Sequence, residues 1–351
     1  MERSPVINRR GFLALATAGT AATALAACGT GSSSDESSES KSSGGGAGSG
    51  FPVEVKHAFG TTKIEKAPTK VVVVGWGDAD VVAALGVAPV AAPEVTWGAN
   101  ANKSTDWLDA QLKKIGGKAP ARFSDKDGTP VDKIATYQPD LILGTNSGLT
   151  KEQYDKLSKI APTVAYPKVA WGTSWQESTT MIATALGKKA EGEKLMAETK
   201  KKISDAVVKY PELKGKTASW VYFTPTNLNT VGVYTPIDNR PRTLAEFGLP
   251  DGDGIAKQTK SSKSFFVDLS AEKAAQIDSD IVVFDELQGA EPSKIKSNAL
   301  LGKIPAIKND TFVSIKEQKP SAAMSGPTVL SIPVALETFL PQLAAAAKKV
   351  K

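Results

Sequence analysis

The sequence contains only one cysteine and one histidine in 351 residues. A single cysteine, Cys28, excludes an internal disulfide. A bare zinc or manganese ion needs several histidine and carboxylate ligands that converge, so a single histidine argues against such a site. We therefore predict that no residue binds metal directly, and that His57 is a surface or strand residue.

Catalytic motifs are also missing. The chain has no G-x-S-x-G, Walker A or H-E-x-x-H sequence, so the common signatures of hydrolases, nucleotide-binding enzymes and zinc proteases are absent. Two S-x-x-K matches begin at Ser270 and Ser293, but no S-D-N or K-T-G sequence follows them. We expect a protein that is not an enzyme, with a lipid-anchored serine hydrolase using Ser270 as the alternative from another class.

Arginine is scarce, and the positive charge is carried mainly by lysine. The formal charge of +6 includes +2 from Met1–Ala27, which has three arginines and one glutamate, so the remainder carries +4. The lysines do not cluster with aromatic residues, and nucleic-acid binding is therefore not predicted. After Cys28 the only arginines are Arg122, Arg240 and Arg242. Their planar guanidinium groups suit paired oxygen atoms, and surface salt bridges are the alternative for each.

The apolar run near the amino end is too short to span a membrane and ends in small residues, which is typical of an export signal. Arg9-Arg10 resembles a twin-arginine signal, and Leu25-Ala26-Ala27-Cys28 resembles a lipobox. We predict a signal peptide over residues 1–27, exported by the twin-arginine or the Sec route, and lipidation of Cys28. A chance cysteine in an apolar helix is the alternative.

The next segment, residues 28–50, is rich in serine and glycine and cannot build a core. Attached to a lipid on Cys28, it would act as a flexible tether. We therefore expect the folded part of the chain at the extracellular face of the cytoplasmic membrane.

One long helix is predicted in the middle of the chain, over Lys188–Lys209. Apolar and small residues recur there with the spacing of a half-buried helix. Gly187 separates it from a preceding helix, and Pro211 stops it. At about 1.5 Å per residue it spans roughly 33 Å, the width of a small domain. We predict an N-terminal lobe over residues 51–173, a helical connector over residues 174–210 and a C-terminal lobe over residues 211–351.

The sequence on both sides of that helix alternates between strand and helix patterns. Val71–Val74 is a β-branched run typical of a strand buried on both faces, and a short helix pattern follows it. The same order recurs around Asp140–Leu143, and in the second half around Ser219–Phe223 and Asp280–Phe284. The pattern predicts an α/β fold of two parallel-sheet lobes, with a ligand cleft between them beyond the carboxyl ends of the strands.

Several short motifs resemble those of one protein family. They are His57-Ala58-Phe59-Gly60-Thr61, Ala67-Pro68, Ala84-Leu85-Gly86-Val87-Ala88-Pro89 and Gln138-Pro139-Asp140-Leu141-Ile142. Together they resemble the iron–siderophore substrate-binding lipoproteins of ABC importers, in particular actinobacterial receptors for hydroxamate siderophores. The resemblance covers the chain from Phe51 onward. It implies two lobes joined by one helix, a ferric siderophore as ligand without a cofactor, and delivery to a membrane permease. We expect a monomer.

A ferric ion already wrapped by a chelator needs aromatic walls for the organic skeleton and forked donors for the oxygens around the iron. The resemblance implies an oxygen-binding arginine at Arg122, and places Arg240 and Arg242 on a loop that faces the cleft. Trp107 and Trp220 are expected in the core. The predicted ligand-binding residues are Trp76, Trp97, Arg122, Asn146, Tyr166, Trp171, Tyr222, Tyr234, Arg240, Arg242 and Phe265.

Haem or a corrinoid is the alternative ligand of the same fold. Haem requires an axial His, Met or Tyr, and Tyr166, Tyr234 and Met324 are available. The sequence Asp251-Gly252-Asp253-Gly254 resembles the start of a calcium loop but lacks the remaining ligands, so we predict a plain turn.

The resemblance also implies that one acidic residue on the outer face of each lobe pairs with permease arginines. Glu152 and Glu272 match these positions, although an acid in a first helical turn is also explained by the helix dipole. We expect the variant with Glu152→Ala and Glu272→Ala to retain ligand affinity but to lose uptake of radiolabelled iron by intact cells. Normal uptake would count against this docking assignment.

Overall fold

The computed structural model describes residues 50–286 and 289–351. The predicted signal peptide, Cys28 and nearly all of the predicted tether lie outside these residues. Within the described ranges, no helix has both the length and the apolar character that crossing a membrane requires.

The first lobe contains a hairpin and a five-stranded parallel sheet. Its strands are β1 (Val53–His57) and β2 (Gly60–Ile64) in the hairpin, and β3 (Val71–Val73), β4 (Ala91–Pro93), β5 (Ala121–Phe123), β6 (Leu141–Leu143) and β7 (Thr163–Val164) in the sheet. The sheet order is β5-β4-β3-β6-β7. Every residue of β3 and β6 is buried, because apolar clusters cover both faces of the sheet.

Helices connect these strands, and capping residues fix the loops at the ends of the helices. The helices are α1 (Asp78–Ala84), α2 (Asp106–Lys114), α3 (Val131–Ala135) and α4 (Lys151–Leu157). Thr150 and Gln153 form a capping box at the start of α4. Helix α2, which buries Leu108 and Leu112, was not predicted from the sequence.

Two helices connect the lobes, α5 (Trp175–Ala185) and α6 (Lys189–Val207). Gly187 between them has a φ angle of 67°, a left-handed conformation that glycine adopts without strain. Helix α6 begins one residue later and ends two residues earlier than predicted. The predicted long connecting helix is therefore confirmed.

Helix α6 packs closely on α5 at Gly192. A Cβ atom at this position would lie 2.4 Å from the Cβ atom of Ala183. Gly192, Thr199 and Ile203 form the buried stripe of α6, whereas Ala197 lies on its exposed face. The absence of a side chain at Gly192 therefore sets the distance between the two connecting helices.

The second lobe contains a five-stranded mixed sheet. Its strands are β8 (Ala218–Thr224), β9 (Asn227–Tyr234), β10 (Phe266–Ser270), β11 (Ile281–Asp285) and β12 (Phe312–Ile315), in the order β10-β9-β8-β11-β12. Strands β8, β11 and β12 are parallel, as predicted, and β10 runs in the same direction, but β9 is antiparallel to both of its neighbours, β8 and β10. The reason is that only two residues separate β8 from β9, which permits a hairpin but not a parallel crossover. The α/β class with two lobes joined through a long helix is confirmed.

Short helices surround the second sheet. They are α7 (Asn239–Glu246), α8 (Asp253–Thr259), α9 (Pro292–Ser297), α10 (Pro305–Lys308), α11 (Gln318–Ser325), α12 (Ser331–Thr338) and α13 (Leu340–Ala347), with 3-10 helices at Pro211–Leu213, Ala271–Gln276 and Leu301–Lys303.

The C-terminal helices correct a sequence prediction. The sequence favours one helix over Thr328–Ala345 that is interrupted near Pro333, but the break lies at Phe339, between α12 and α13. Pro341 lacks the N–H that would continue α12, and it fits in the first turn of α13. Pro333 is tolerated because it lies in the first turn of α12, where no intrahelical N–H bond is required.

One hydrophobic cluster extends through both lobes. It includes Val71 and Leu141 of the first sheet, and Ile281 and Val313 of the second. Trp220 stacks on Phe339 in this cluster, with the ring centroids 5.5 Å apart, which confirms its predicted place in the core. The lobes therefore share one core instead of meeting only at a flexible hinge.

Two buried carboxylates at the start of α1 add polar contacts near the junction between the two lobes. Asp78 accepts hydrogen bonds from the backbone N and Oγ1 of Thr145, each at 2.7 Å. Asp80 Oδ2 accepts bonds from Trp107 Nε1 and from Thr328 Oγ1 of the second lobe, again at 2.7 Å. Burial raises the pKa of each carboxyl group to about 6, although these hydrogen bonds act in the opposite direction.

The raised pKa of Asp80 predicts a pH-dependent effect on stability. Between about pH 4 and about pH 6 the native state binds a proton that the unfolded state has already released, so the contribution of Asp80 to stability falls as the pH rises. Asp80→Asn removes this loss. We therefore expect the free energy of unfolding of the variant, relative to wild type, to increase by roughly 1–3 kcal/mol from about pH 4 to about pH 7.

Urea unfolding followed by circular dichroism measures this difference. Asp125→Asn is the matched control, because it makes the same substitution at an exposed position. A difference for Asp80→Asn that does not change between about pH 4 and about pH 7 would show that burial does not shift the titration of Asp80.

The close contact at Gly192 gives a second stability prediction. We expect Gly192→Val to lower the free energy of unfolding by roughly 1–3 kcal/mol, because the added side chain forces α5 and α6 apart. Ala197→Val introduces the same residue on the exposed face of α6 and should cost less. Adding Ala183→Gly to Gly192→Val should restore part of the loss. Equal losses at residues 192 and 197, without rescue, would contradict this account of the helix contact.

Candidate ligand-binding cleft

A cavity of about 340 Å³ lies at the carboxyl ends of β3, β4 and β5. The second lobe closes it, since Ala322 of α11 and the following Gly326 form part of its wall. Open α/β sheets bind their ligands at this edge, beyond the carboxyl ends of the strands. We call this cavity the indole compartment, because four tryptophans line it: Trp76, Trp97, Trp107 and Trp171.

A second cavity of about 200 Å³ adjoins the first. It lies between Asn146, in the loop after β6, and residues of the second lobe that include Tyr234, Arg240 and Phe265. Trp76 and Trp171 line both cavities, so the two are parts of one cleft between the lobes. We call the second cavity the arginine compartment, after Arg240.

The tryptophans of the cleft are unusually exposed but are held in place. Trp76 is 37% exposed and Trp171 is 44% exposed. Their backbone N–H groups donate to the carbonyl oxygens of Asn146 and Ser147, at 2.8 Å and 3.1 Å. Trp97 Nε1 donates across the cleft to Ser321 Oγ at 3.2 Å. Large exposed aromatic surface on fixed loops is typical of a binding site.

Trp107 packs against the core, as predicted. It is only partly buried, however, and it also lines the indole compartment, where its indole N–H donates to Asp80. The sequence could not show this because the start of α2 is brought to the cavity only by the folding of the loop before it. The sequence analysis also missed Asp80, although the spacing of Asp78 and Asp80 just beyond a buried strand was a visible signal.

Arg122 is the middle residue of β5 and lines the indole compartment. Its Nη1 donates to the carbonyl oxygen of Pro93 at 2.9 Å, and its Nη2 donates to Ser104 Oγ at 2.7 Å. Burial lowers the pKa of the guanidinium group, against the opposing effect of Asp109, Asp80 and Glu94. The bonds to Pro93 and Ser104 fix the direction of the arginine at the cavity wall.

Arg240, in α7, is held more tightly than Arg122. Its Nη1 donates to Asp238 Oδ2 at 2.9 Å, and the guanidinium carbon lies 4.3 Å from the ring centroid of Tyr234. Burial alone would lower its pKa, but Asp238 and Tyr234 outweigh this effect and raise it. Arg240 is therefore a permanently charged and rigid donor in the wall of the arginine compartment.

Three polar atoms in the arginine compartment have no hydrogen-bond partner within the described part of the chain. They are Asn146 Oδ1, Arg240 Nε and Ser325 Oγ, all of them buried. A buried polar group without a partner costs about 1–3 kcal/mol. Their convergence on one cavity is explained if a ligand, or water in its place, supplies the missing bonds.

The structure brings most of the predicted ligand-binding residues to the cleft. Those that line one or both compartments are Trp76, Trp97, Arg122, Asn146, Trp171, Tyr234, Arg240 and Phe265.

Among the described residues, three other predicted ones lie outside the lining of both compartments, namely Tyr166, Tyr222 and Arg242. Tyr166 packs on Phe59, with ring centroids 5.3 Å apart. Arg242 donates Nε to the carbonyl oxygen of Pro236 at 2.7 Å and Nη1 to that of Gly172 at 2.8 Å. It thus joins the loops beside the cleft.

Of the described candidate metal and haem ligands, Tyr234 alone lies in the lining of this cleft. No group of three or more His, Cys, Asp or Glu side chains is placed to hold a metal ion in residues 50–286 and 289–351. His57 lies in β1, as predicted, and its Nε2 is 2.9 Å from Thr62 Oγ1. Met324 is fully buried in the core, and Tyr234 is covered by Arg240.

The remaining candidate residues have structural partners. Glu152 and Glu272 are exposed, and Glu152 pairs with Lys156 at 2.7 Å. Ser270 caps the 3-10 helix that follows it, since its hydroxyl accepts a bond from Glu272 N. Asp251 Oδ1 accepts a bond from Ser219 Oγ at 2.6 Å, in a turn that leads into α8. The carboxylate of Asp251 is therefore already hydrogen-bonded within the protein.

Known proteins with related sequences and structures agree with this architecture. PiaA of Streptococcus pneumoniae TIGR4, solved in complex with ferrichrome, is 35% identical, with a TM-score of 0.80 over 85% of this chain and 100% of that chain. YhfQ of Bacillus subtilis, named as an ABC transporter substrate-binding lipoprotein, is 27% identical over 272 residues, 73% of this chain and 79% of YhfQ. YfmC of the same organism, a Fe(3+)-citrate-binding protein, is 28% identical over 260 residues, 71% of this chain and 74% of YfmC.

The family match covers most of the chain that forms the cleft, and only Ala322, Ser325 and Gly326 of the described lining lie beyond it. The sequence fits the periplasmic binding protein family over residues 71–319, which run from β3 to the start of α11. Both sheets and the connecting helices lie within this range. The chain therefore belongs to the periplasmic binding protein family.

Proposed function

We propose that the protein is an extracellular receptor that binds a ferric siderophore, of the hydroxamate type, and delivers it to the permease of an ABC importer. The observation that carries this proposal is the cleft itself. Exposed indole rings line one end, and a fixed arginine lies at the other with buried polar atoms that lack partners. The protein carries out no reaction on the ligand.

The donor set of the cleft fits a chelated iron better than a free ion. A siderophore already satisfies the coordination of the iron, so the protein supplies hydrogen bonds to the outer oxygens and apolar contacts to the skeleton. Arg240 Nε can donate to a hydroxamate oxygen, and Asn146 and Ser325 can add neutral contacts. The similarity to PiaA, which binds ferrichrome in its complex, supports the hydroxamate class over the citrate class suggested by YfmC.

The residues that contact the ligand are proposed from their positions in the walls. They are Trp76, Trp97, Arg122, Asn146, Trp171, Tyr234, Arg240 and Phe265. Tyr166, Tyr222 and Arg242 are proposed to position the neighbouring loops, because they lie outside both compartments.

Delivery requires that the receptor stay near its permease. We propose that Cys28 is lipidated after removal of the signal peptide and that residues 28–50 tether the folded lobes to the membrane. Glu152 and Glu272 are proposed as the contacts with the permease. The relative YhfQ, named as a lipoprotein, supports the anchor.

Ligand class is tested by quenching of tryptophan fluorescence. We expect ferrichrome and ferrioxamine complexes to quench the indole emission with saturation, because the ligand lies against Trp76 and Trp171. Iron-free chelators, ferric catecholates, ferric citrate, haem and cobalamin are tested in parallel. Tight binding of haem or cobalamin without any response to ferric hydroxamates would replace the proposed ligand with the alternative.

The contribution of Arg240 is tested by substitution. Arg240→Gln should weaken binding of a ferric hydroxamate about 10-fold or more, because a charged hydrogen bond contributes about 1.5–3 kcal/mol. Tyr166→Phe is the control, since Tyr166 packs on Phe59 outside the cleft, and its affinity should match wild type. Equal affinities of the two variants would remove Arg240 from the site.

A further inference from the structure

The indole compartment combines aromatic faces with negative charge. It is lined by four of the six tryptophans of the chain. Its lining also contains three carboxylates, Asp80, Glu94 and Asp125, and one cation, Arg122. The formal charge of this lining is therefore −2. Lys103 pairs with Glu94 at 2.6 Å but is not part of the lining. If Lys103 is counted with the lining, the formal charge is −1.

Arg122 does not supply free positive charge to this compartment. Two of its nitrogens are bonded to Pro93 and Ser104. Asp109, Asp80 and Glu94 all interact with its charge. The single cation in the wall is therefore already surrounded by carboxylates.

The four indole rings have faces that attract positive charge. A cation within about 6 Å of a tryptophan ring is stabilised by about 0.5–2 kcal/mol. In the described part of the chain, the contacts between a cationic side chain and an aromatic ring involve Tyr137, Tyr154, Trp220 and Tyr234. None of the four indoles in the compartment holds a cation of the protein, so their faces are available to a ligand.

The two compartments of the cleft differ in charge and are continuous. The arginine compartment is lined by Arg240 and its partner Asp238, whose formal charges cancel, and it offers polar atoms without partners. The indole compartment has a lining of net negative charge. Trp76 and Trp171 line both. One ligand that spans the cleft would therefore place oxygen acceptors at one end and a different group at the other.

We infer that the indole compartment binds an ammonium group carried by the ligand, so that the siderophore is a ferric hydroxamate with a pendant amine. The complex of a ferric ion with three hydroxamates has no net charge. A protonated pendant amine therefore provides the whole net charge of such a siderophore complex. The iron end would lie near Arg240, and the ammonium group would lie among the indoles, within reach of Asp80, Glu94 and Asp125. This inference rests on the proposed function and narrows its ligand class.

A matched pair of ligands tests the inference. Ferrioxamine B carries a free primary amine, and its N-acetyl derivative has the same iron-binding groups without the charge. We expect the amine form to bind roughly 10-fold more tightly, as one ammonium contact with carboxylates and indoles predicts. The ratio of the two dissociation constants is measured by tryptophan quenching and confirmed by titration calorimetry.

Charge-neutral variants show whether the compartment causes the preference. Glu94→Gln combined with Asp125→Asn should reduce the ratio of the two dissociation constants toward one. The control is Glu193→Gln combined with Glu198→Gln on the exposed part of α6, which removes the same charge far from the cavity lining and should leave the ratio as in wild type. Trp97→Leu tests the aromatic part, and should also lower the ratio.

The outcomes separate this inference from the proposed function. Equal affinity for the amine and acetylated complexes, or a preference for the acetylated one, overturns the ammonium site but leaves a siderophore receptor. A preference that persists unchanged in the carboxylate variant and in Trp97→Leu also overturns it. Absence of binding to every ferric hydroxamate overturns the proposed function and this inference together.

Discussion

The close packing of the two connecting helices, at Gly192 against Ala183, is the constraint on which the cleft depends. It allows one hydrophobic cluster to continue from the first sheet to the second. Because both sheets are fixed to the same core, the carboxyl ends of the first sheet's strands face α11 and the loops around α7 of the second lobe. Loops that are far apart in the sequence, such as those of Trp76 and Phe265, therefore meet in one cavity.

The junction between the lobes is strengthened by polar contacts that are themselves costly to bury. Asp80 accepts bonds from Trp107 of the first lobe and Thr328 of the second, and Arg242 reaches the carbonyl oxygen of Gly172. A buried carboxylate is tolerated where such donors compensate for lost hydration. These contacts hold tryptophan rings at the surface of the cleft, where the hydrophobic effect alone would bury them.

Much of the architecture could be read from local patterns. Val71–Val74 and Asp140–Leu143 gave strands buried on both faces, and Gly187 with Pro211 gave the limits of the connecting helix, to within a few residues. Because arginine is scarce, Arg122 and Arg240 were predicted to be ligand-binding residues, and both line the cleft. These predictions succeeded because β-branched runs, helix stops and rare residue types act through neighbours in the sequence.

The failures concern residues whose role depends on distant partners. Trp107 packs on the core as predicted, but its place in the cavity lining follows from a loop that brings α2 to the end of β4. All strands of the second sheet were expected to be parallel, but β9 is antiparallel to both of its neighbours, because only two residues connect it to β8. Arg242 has nearly the same sequence neighbours as Arg240, yet it donates hydrogen bonds to the main chain beside the cleft. The reason is that the two side chains leave helix α7 in different directions.

The sequence by itself determined the α/β class, the two halves and the long helix between them, since composition and short-range periodicity fix these properties. Only the tertiary structure decided which tryptophans line the cleft, and which buried polar atoms there lack partners. It also showed that carboxylates and indoles share one compartment. The physical reason is that binding surfaces are made by side chains from separate loops, and their distances are set by the packing of the core beneath them.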